Sequence, residues 1–198
     1  MSIVINGSTN VISGVAVGGL PDGIVDTDML AANAVTAAKT TVPGITMQDS
    51  WIVTTNYSTN GVADITANWA RHSASLTDAG NIGSAMTQSS GVFTFPSTGI
   101  YLVVASLVAR GSGGRTYLGA EQQISSDSGS NYSDVTVAYN SSYINLAYAS
   151  TQTTAVFDVT NASTFRWKLR HVFSDTAQVM TNASNKHTGV SFTRLGDT

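Results

Sequence analysis

Residues 91–107, GVFTFPSTGIYLVVASL, constrain the fold of this chain more than any other stretch. The first half alternates, placing Phe93 and Phe95 on one side of a strand before Pro96 and Gly99 turn the chain. The second half is apolar at almost every position. Ile100, Leu102, Val104 and Ser106 line one face, and Tyr101, Val103, Ala105 and Leu107 line the other. A strand on the outside of a two-layer protein alternates apolar and polar residues. This one does not, so both of its faces need apolar cover, because large exposed apolar patches are rare on monomers. One cover is the chain's own second layer on both sides; the other is a neighbouring subunit on one side. We assign the second cover to a subunit, with Tyr101, Val103 and Ala105 facing it. The segment SYINLAY supplies a second two-faced strand, and its Tyr143 joins the expected interface.

From Trp51 onward, strand signals recur at turn-bounded intervals. Strands are expected at 50–54, 68–70, 91–95, 99–109, 116–125, 133–138, 143–148, 153–159, 164–173 and 190–195. Between them lie TDAGNIGS, RGSGG, SSDSGSNYSD, TNAS and TNASNKHTG, all turn-like in chemistry. About ten short strands with little helix signal define an all-β sandwich or barrel. Only 11% of the residues are charged and 42% are hydrophobic, which excludes a disordered chain. A net charge of −3 with scattered Lys and Arg argues against a nucleic-acid partner. No apolar run is long enough for a spanning helix, so no membrane insertion is expected.

Residues 1–47 differ from the rest, being rich in small residues and lacking aromatics. Gly18-Gly19 and Pro21-Asp22-Gly23 are turn signals, and a short helix capped by Asp26 or Thr27 is expected over 25–39. A flexible leader and an arm that orders on a partner both fit. We read an attachment arm, with Ile3, Val11, Leu20, Met29, Leu30 and Val35 as its contact residues, ahead of a head at 48–198. The first residues, MSIVINGSTNV, have neither a basic region nor a long apolar one, so use without Sec export is expected.

The order Gly91, Phe93, Pro96, Gly99, Tyr101 resembles the signature of C1q/TNF-like jelly rolls, and the resemblance extends weakly from about Trp51 onward. It implies a ten-stranded jelly-roll β-sandwich and a symmetric homotrimer. It also implies that SFTRLGDT is the last strand, with Phe192 at the centre of the subunit interface. The leader GLPDGIVDTDMLAANAVTAAK is similar to segments of bacteriophage fibre and virion proteins, notably of marine and cyanobacterial phages. That similarity implies a virion location, with capsid or tail proteins bound through the arm. The chain departs from vertebrate members in having no collagen repeat and no acidic cluster of a calcium site.

No catalytic constellation is legible. His72, His171 and His187 share no metal-ligand spacing, and GxSxG, Walker A and GxGxxG patterns are absent. With no Cys, thiolate chemistry is excluded. Asp26/Asp28 and Asp127/Asp134 are expected to be solvated turn residues, and neither metal nor cofactor is expected. Glu121, the single Glu, is expected to pair with Arg115 or with an Arg of the next chain. RWKLR places Arg166, Lys168 and Arg170 on one strand face, either as a polyanion stripe or as a solvated outer face. Tyr132, Tyr139 and Asn140 are the candidate ligand-loop residues, since Tyr offers large contact area at small entropy cost. Three functional readings follow: a fibre or adhesin tip touching a host-surface glycan or protein, a capsid decoration or cement protein, and a free lectin-like module.

Overall fold

The computed structural model describes residues 4–6, 11–13, 44–72, 81–182 and 186–198. The chain divides into two compact units, Met1–Gly44 and Ile45–Thr198. In the first, Val4–Asn6 (β1) pairs antiparallel with Val11–Ser13 (β2). Val11 lies in β2, whereas Ile3, Leu20, Met29, Leu30, Val35 and the helix expected over 25–39 lie outside the described residues.

The second unit is an all-β sandwich. Its strands are Met47–Val53 (β3), Tyr57–Thr59 (β4), Val62–Asp64 (β5), Trp69–Arg71 (β6), Asn81–Ile82 (β7), Thr87–Ser89 (β8) and Val92–Thr94 (β9). They continue with Gly99–Gly111 (β10), Arg115–Ser125 (β11), Ser133–Ser142 (β12), Tyr148–Val159 (β13), Arg166–Phe173 (β14), Ala177–Met180 (β15) and Gly189–Gly196 (β16). All pairings are antiparallel. One sheet is built on β13, β10, β16 and β3, with β4, β6, β7 and β15 at its margins. The other runs β12, β11, β14, β9, β8, with β5 on β14. Met47 pairs with Arg194, so the sandwich takes in the last residue assigned to the arm.

β10 alternates buried and half-buried along its whole length. Tyr101, Val103, Ala105, Leu107 and Ala109 are fully buried in the core of this one chain, and so is Phe192 of β16. This corrects the expected interface: Tyr101, Val103, Ala105 and Phe192 face the second sheet of their own chain, not a neighbouring subunit. The face left outward carries Ile100, Leu102 and Val104, all half-buried. Both faces are apolar, so the pattern alone does not say which points in. Register decides it. Tyr101 pairs with Phe157, setting the aromatic side inward, while Leu102 pairs with the exposed Val156.

The signature residues have local roles. Gly91 has φ +78°, and a Cβ there would lie 2.1 Å from the Ile65 carbonyl oxygen. Gly99, at φ +144°, passes so close to β16 that a Cβ would lie 2.7 Å from the Gly196 carbonyl oxygen. The Tyr101 hydroxyl donates back to the Ser97 carbonyl at 3.0 Å, closing the Pro96–Gly99 turn. Phe93 is fully buried at the centre of the aromatic core, its ring 5.2–5.5 Å from Trp51, Trp69, Trp167 and Phe192.

Buried polar groups are matched across the interior, as they must be where water is excluded. Gln122 accepts from Trp167 Nε1 at 2.9 Å and donates to Thr153 Oγ1 at 3.0 Å, tying the two sheets together. Fully buried Asp49 accepts from Trp51 Nε1, the Met86 amide and Arg71. Thr188 fills the gap on β10 between β16 and β15, accepting from the Val108 amide and donating to the Met180 carbonyl.

The segment 143–147 is not the expected strand. It is a loop in which Leu146 takes φ +60° and its amide donates to the Gly111 carbonyl. Tyr143 is therefore 85% exposed and lies apart from Tyr101, Val103 and Ala105, which are in the core.

Candidate functional site

The outward face of the sheet β12–β11–β14–β5 gathers the polar chemistry of the described residues. Antiparallel pairing sets side chains in cross-strand rows. One row is Val62, Val172, Gly119, Tyr139, and the next is Asp64, Arg170, Glu121, Val137. A third holds Lys168, Gln123 and Asp134. Arg170 bridges three carboxylates: Asp64 at 3.2 Å, Glu121 at 3.3 Å and Asp134 at 3.7 Å. Lys168 meets Asp64 at 2.8 Å, and its Nζ stands 3.8 Å above the Tyr132 ring centroid. Gln123 Nε2 donates to Asp134. Arg166 turns its guanidinium onto the Phe165 and Ser163 carbonyls.

These contacts decide the sequence-level alternatives. The RWKLR cations do not form a free stripe, because Lys168 and Arg170 are neutralised by Asp64, Glu121 and Asp134. Glu121 pairs with Arg170 of its own chain; Arg115 instead donates to the Thr176 carbonyl. Burial, reinforced by nearby Asp134 and Asp64, raises the Glu121 carboxyl above its ordinary range, and Arg170 pulls the other way. Asp127 is held low, at about 2, by hydrogen bonds from Ser125 and Asn131. That loop is rigidly self-bonded, as the Gly129 amide also donates to Ser125 Oγ. Among the described residues no group of three or more His, Asp or Glu is placed to hold a metal ion.

Beside the ionic rows lies an aromatic corner. The Tyr139 ring lies across Gly119: a Cβ on that glycine would fall 2.6 Å from Tyr139 Cδ1 and 2.9 Å from Cε1. Tyr139 is 57% exposed, and Tyr117 meets it edge to face with centroids 5.5 Å apart. Of the expected ligand residues, only Tyr139 is presented to solvent in this way. Tyr132 is half-buried against Lys168. Asn140 is committed to the backbone, donating to the Ser150 carbonyl and accepting from the Ser141 amide. Tyr117, Gly119 and Asp64 were missed. The alternation Tyr117-x-Gly119-x-Glu121 was the readable signal, since it sets a ring, a gap and a carboxyl in line on one strand face.

The head also carries a pocket on the other sheet and one beside Asp64. One, of about 190 Å³, lies among Ser58, Arg110, Leu146 and Gln178, where Arg110 donates to Gln178 and stacks over Tyr148. The other, of about 260 Å³, lies among Tyr57, Asp64, Thr66 and Asn68. Burial lifts the Tyr57 phenol to about 12, so it stays protonated there.

His171, on the inward side of β14, is almost fully buried. It accepts from Thr59 Oγ1 at 3.0 Å, donates through Nδ1 to the Gly61 carbonyl at 3.2 Å, and stacks on Phe173. Burial lowers its affinity for a proton below the ordinary 6.5, and nearby Arg170 adds to the effect. The native state then binds fewer protons than the unfolded chain, so the stability it contributes is complete above pH 6.5 and is lost as pH falls. The unfolding temperature of the protein is expected to drop as the pH falls below 6.5. His171→Gln removes part of that slope, and an unchanged slope in calorimetry contradicts the assignment.

No protein-family model matches the chain, and no curated protein matches it in sequence. Solved structures do. The Eiger TNF of S. frugiperda superposes with a TM-score of 0.59 at 16% identity, covering 76% of this chain and 93% of that one. Murine APRIL at pH 5.0 superposes with a TM-score of 0.54 at 13% identity, covering 75% and 98%. Antiparallel sheets in a sandwich, the order of their strands and these superpositions together establish that residues from about 45 onward carry a TNF-like jelly roll.

Proposed function

We propose that this chain is a homotrimeric structural protein of a bacteriophage virion, fixed to the particle by its N-terminal arm and projecting its jelly-roll head as a fibre or adhesin tip toward the host surface. The observation that carries the assembly is the outward face of β10. Ile100, Leu102 and Val104 stand in a row there, with Val156 on β13 across from Leu102. Toward β3 the same sheet face turns polar, where Gln48, Ser50 and Ser191 bond to one another. β13 pairs with β10 alone among the described residues, which leaves a twelve-residue strand whose other edge joins no ladder, only its Ser150 carbonyl being taken by Asn140. An apolar face beside an open edge is covered by repeating one contact head to tail around a closed ring. Three copies is the number implied by the C1q/TNF resemblance. The leader GLPDGIVDTDMLAANAVTAAK supports the virion location through its similarity to phage fibre leaders.

Imaging of labelled particles tests the location. Full-length protein is expected at the tail or a fibre, and deletion of Met1–Gly44 is expected to remove it from the particle while the head still folds. Density on the capsid lattice contradicts the fibre reading in favour of a cement protein. Absence of the full-length protein from the particle contradicts the virion reading altogether.

A further inference from the structure

We infer that the outward face of the β12–β11–β14 sheet is a binding site for a neutral carbohydrate, with Tyr139 as its stacking platform. The inference rests on the reading of the head as the host-facing part of the particle and names what it would touch. Three features of this face set the chemistry of the ligand.

The first is the ring itself. Tyr139 leans over Gly119, its Cδ1–Cε1 edge occupying the space a Cβ there would need, and the residue is more than half exposed. Any side chain at position 119 would lift the ring. Tyr117 stands at 70° to it and makes a corner with it. An aromatic face carries partial negative charge and attracts the weakly positive C–H groups of a flat apolar surface. A pyranose presents such a surface, with hydroxyls at its rim.

The second is the neighbouring row. Glu121 and Arg170 lie next to Gly119 and Tyr139 in the ladder, each held by ion pairs before any ligand arrives. Fixed donors and acceptors at the edge of an aromatic platform give orientation and specificity at little entropic cost. Val137, exposed at the end of the Glu121 row and one row from Tyr139, extends the apolar floor.

The third is charge balance. Asp64, Glu121 and Asp134 face Lys168, Arg170 and Arg166 on the same sheet face, three charges of each sign, and all but Arg166 pair with one another. A polyanion would find a single cation without a carboxylate, Arg166, and that one already donates to the Phe165 and Ser163 carbonyls; a cationic ligand would find Asp64, Glu121 and Asp134 already paired. A protein partner is disfavoured too, because a stable interface buries roughly 800 Å² per side around an apolar centre depleted of charge. Here one aromatic corner abuts an ionic ladder. A neutral, polyhydroxylated ligand satisfies all three conditions. The face lies on the sheet opposite the β10 row, so the proposed trimer leaves three copies of it available for multivalent contact.

A printed array of neutral hexose and N-acetylhexosamine oligosaccharides, with heparin as the polyanionic control, tests the site on the purified full-length chain. The wild type is expected to bind at least one neutral glycan. Tyr139→Ala is expected to weaken that binding about tenfold or more, while Tyr139→Phe, which keeps the ring, stays within about threefold. Because Tyr139 is exposed, both variants should keep the wild-type unfolding temperature. Failure of the wild type to bind any neutral glycan, binding to heparin alone, or undiminished binding by Tyr139→Ala overturns the proposal. The array uses no particle, so its outcome is separate from where the protein sits on a virion. A tail location with an empty array sinks only the carbohydrate site.

Discussion

Phe93→Ala lowers the stability of the head by about 4 kcal/mol, the cost expected for deleting a large aromatic from a packed core. Phe93 is fully buried and contacts Trp51, Trp69, Trp167 and Phe192 at once, so its removal opens a void bounded by four rings that cannot all collapse into it. Two of those rings belong to β3 and β16 in one sheet, and Trp167 to β14 in the other. The edge-to-face geometry lost with them adds to the area term. Set against a total of about 5–15 kcal/mol for a domain, this is a large fraction. Urea unfolding followed by tryptophan fluorescence checks it: the midpoint should fall sharply for Phe93→Ala and modestly for Phe93→Leu, which keeps most of the volume. A loss under about 2 kcal/mol for the alanine variant contradicts the central placement of Phe93.

The parts of this fold that are readable in the sequence are those where one strand carries its own signal. β14 alternates Trp167 and Leu169 against Arg166, Lys168 and Arg170, and each residue lies on the expected side. The order from Gly91 to Tyr101 specifies a strand, a turn and a strand, because glycine is needed at two positions and the tyrosine hydroxyl closes the turn. Strands β4, β5, β7, β8 and β15 are two to four residues long, and nothing within them distinguishes strand from loop. They exist because a long neighbour offers them hydrogen bonds, a relation that lies outside any local window. The segment 143–147 shows the reverse case. Its alternating Tyr, Ile and Leu look like a strand, but Leu146 turns into the left-handed region and bonds to Gly111.

The site was legible only in fragments. Tyr139, Glu121 and Arg170 each stood out singly, yet the ladder that joins them depends on the register of β12 with β11 and of β11 with β14. The inward and outward faces of β10 were exchanged for the same reason. Both are apolar, and the pairing of Tyr101 with Phe157 selects the inner one. The exchange moves the predicted interface from Tyr101, Val103 and Ala105 to Ile100, Leu102 and Val104, and it leaves the reason for an assembly intact.

Leu102→Lys is expected to abolish that assembly without unfolding the head. The Leu102 side chain points away from the core, between Val156 of β13 and Thr193 of β16, so a lysine there is solvated in the isolated chain. In the proposed trimer it would set an ammonium into the apolar row at each of three equivalent contacts, with Val156 and Thr193 directly across from it and the nearest carboxylate, Asp158, one pair along opposite Ile100. Taking a charge out of water costs several kcal/mol per site even beside a partner, and the cost recurs at every contact of the ring. Circular dichroism of the variant should match the wild type, while its mass falls to that of one chain. A variant that stays assembled places the interface elsewhere.

The mass of the full-length wild type, by light scattering after size exclusion at micromolar concentration, bears most directly on the assembly through the β10 face. A particle of three 20.6 kDa chains is expected. A single 20.6 kDa chain under those conditions would mean that Ile100, Leu102 and Val104 face water, and that the head acts alone.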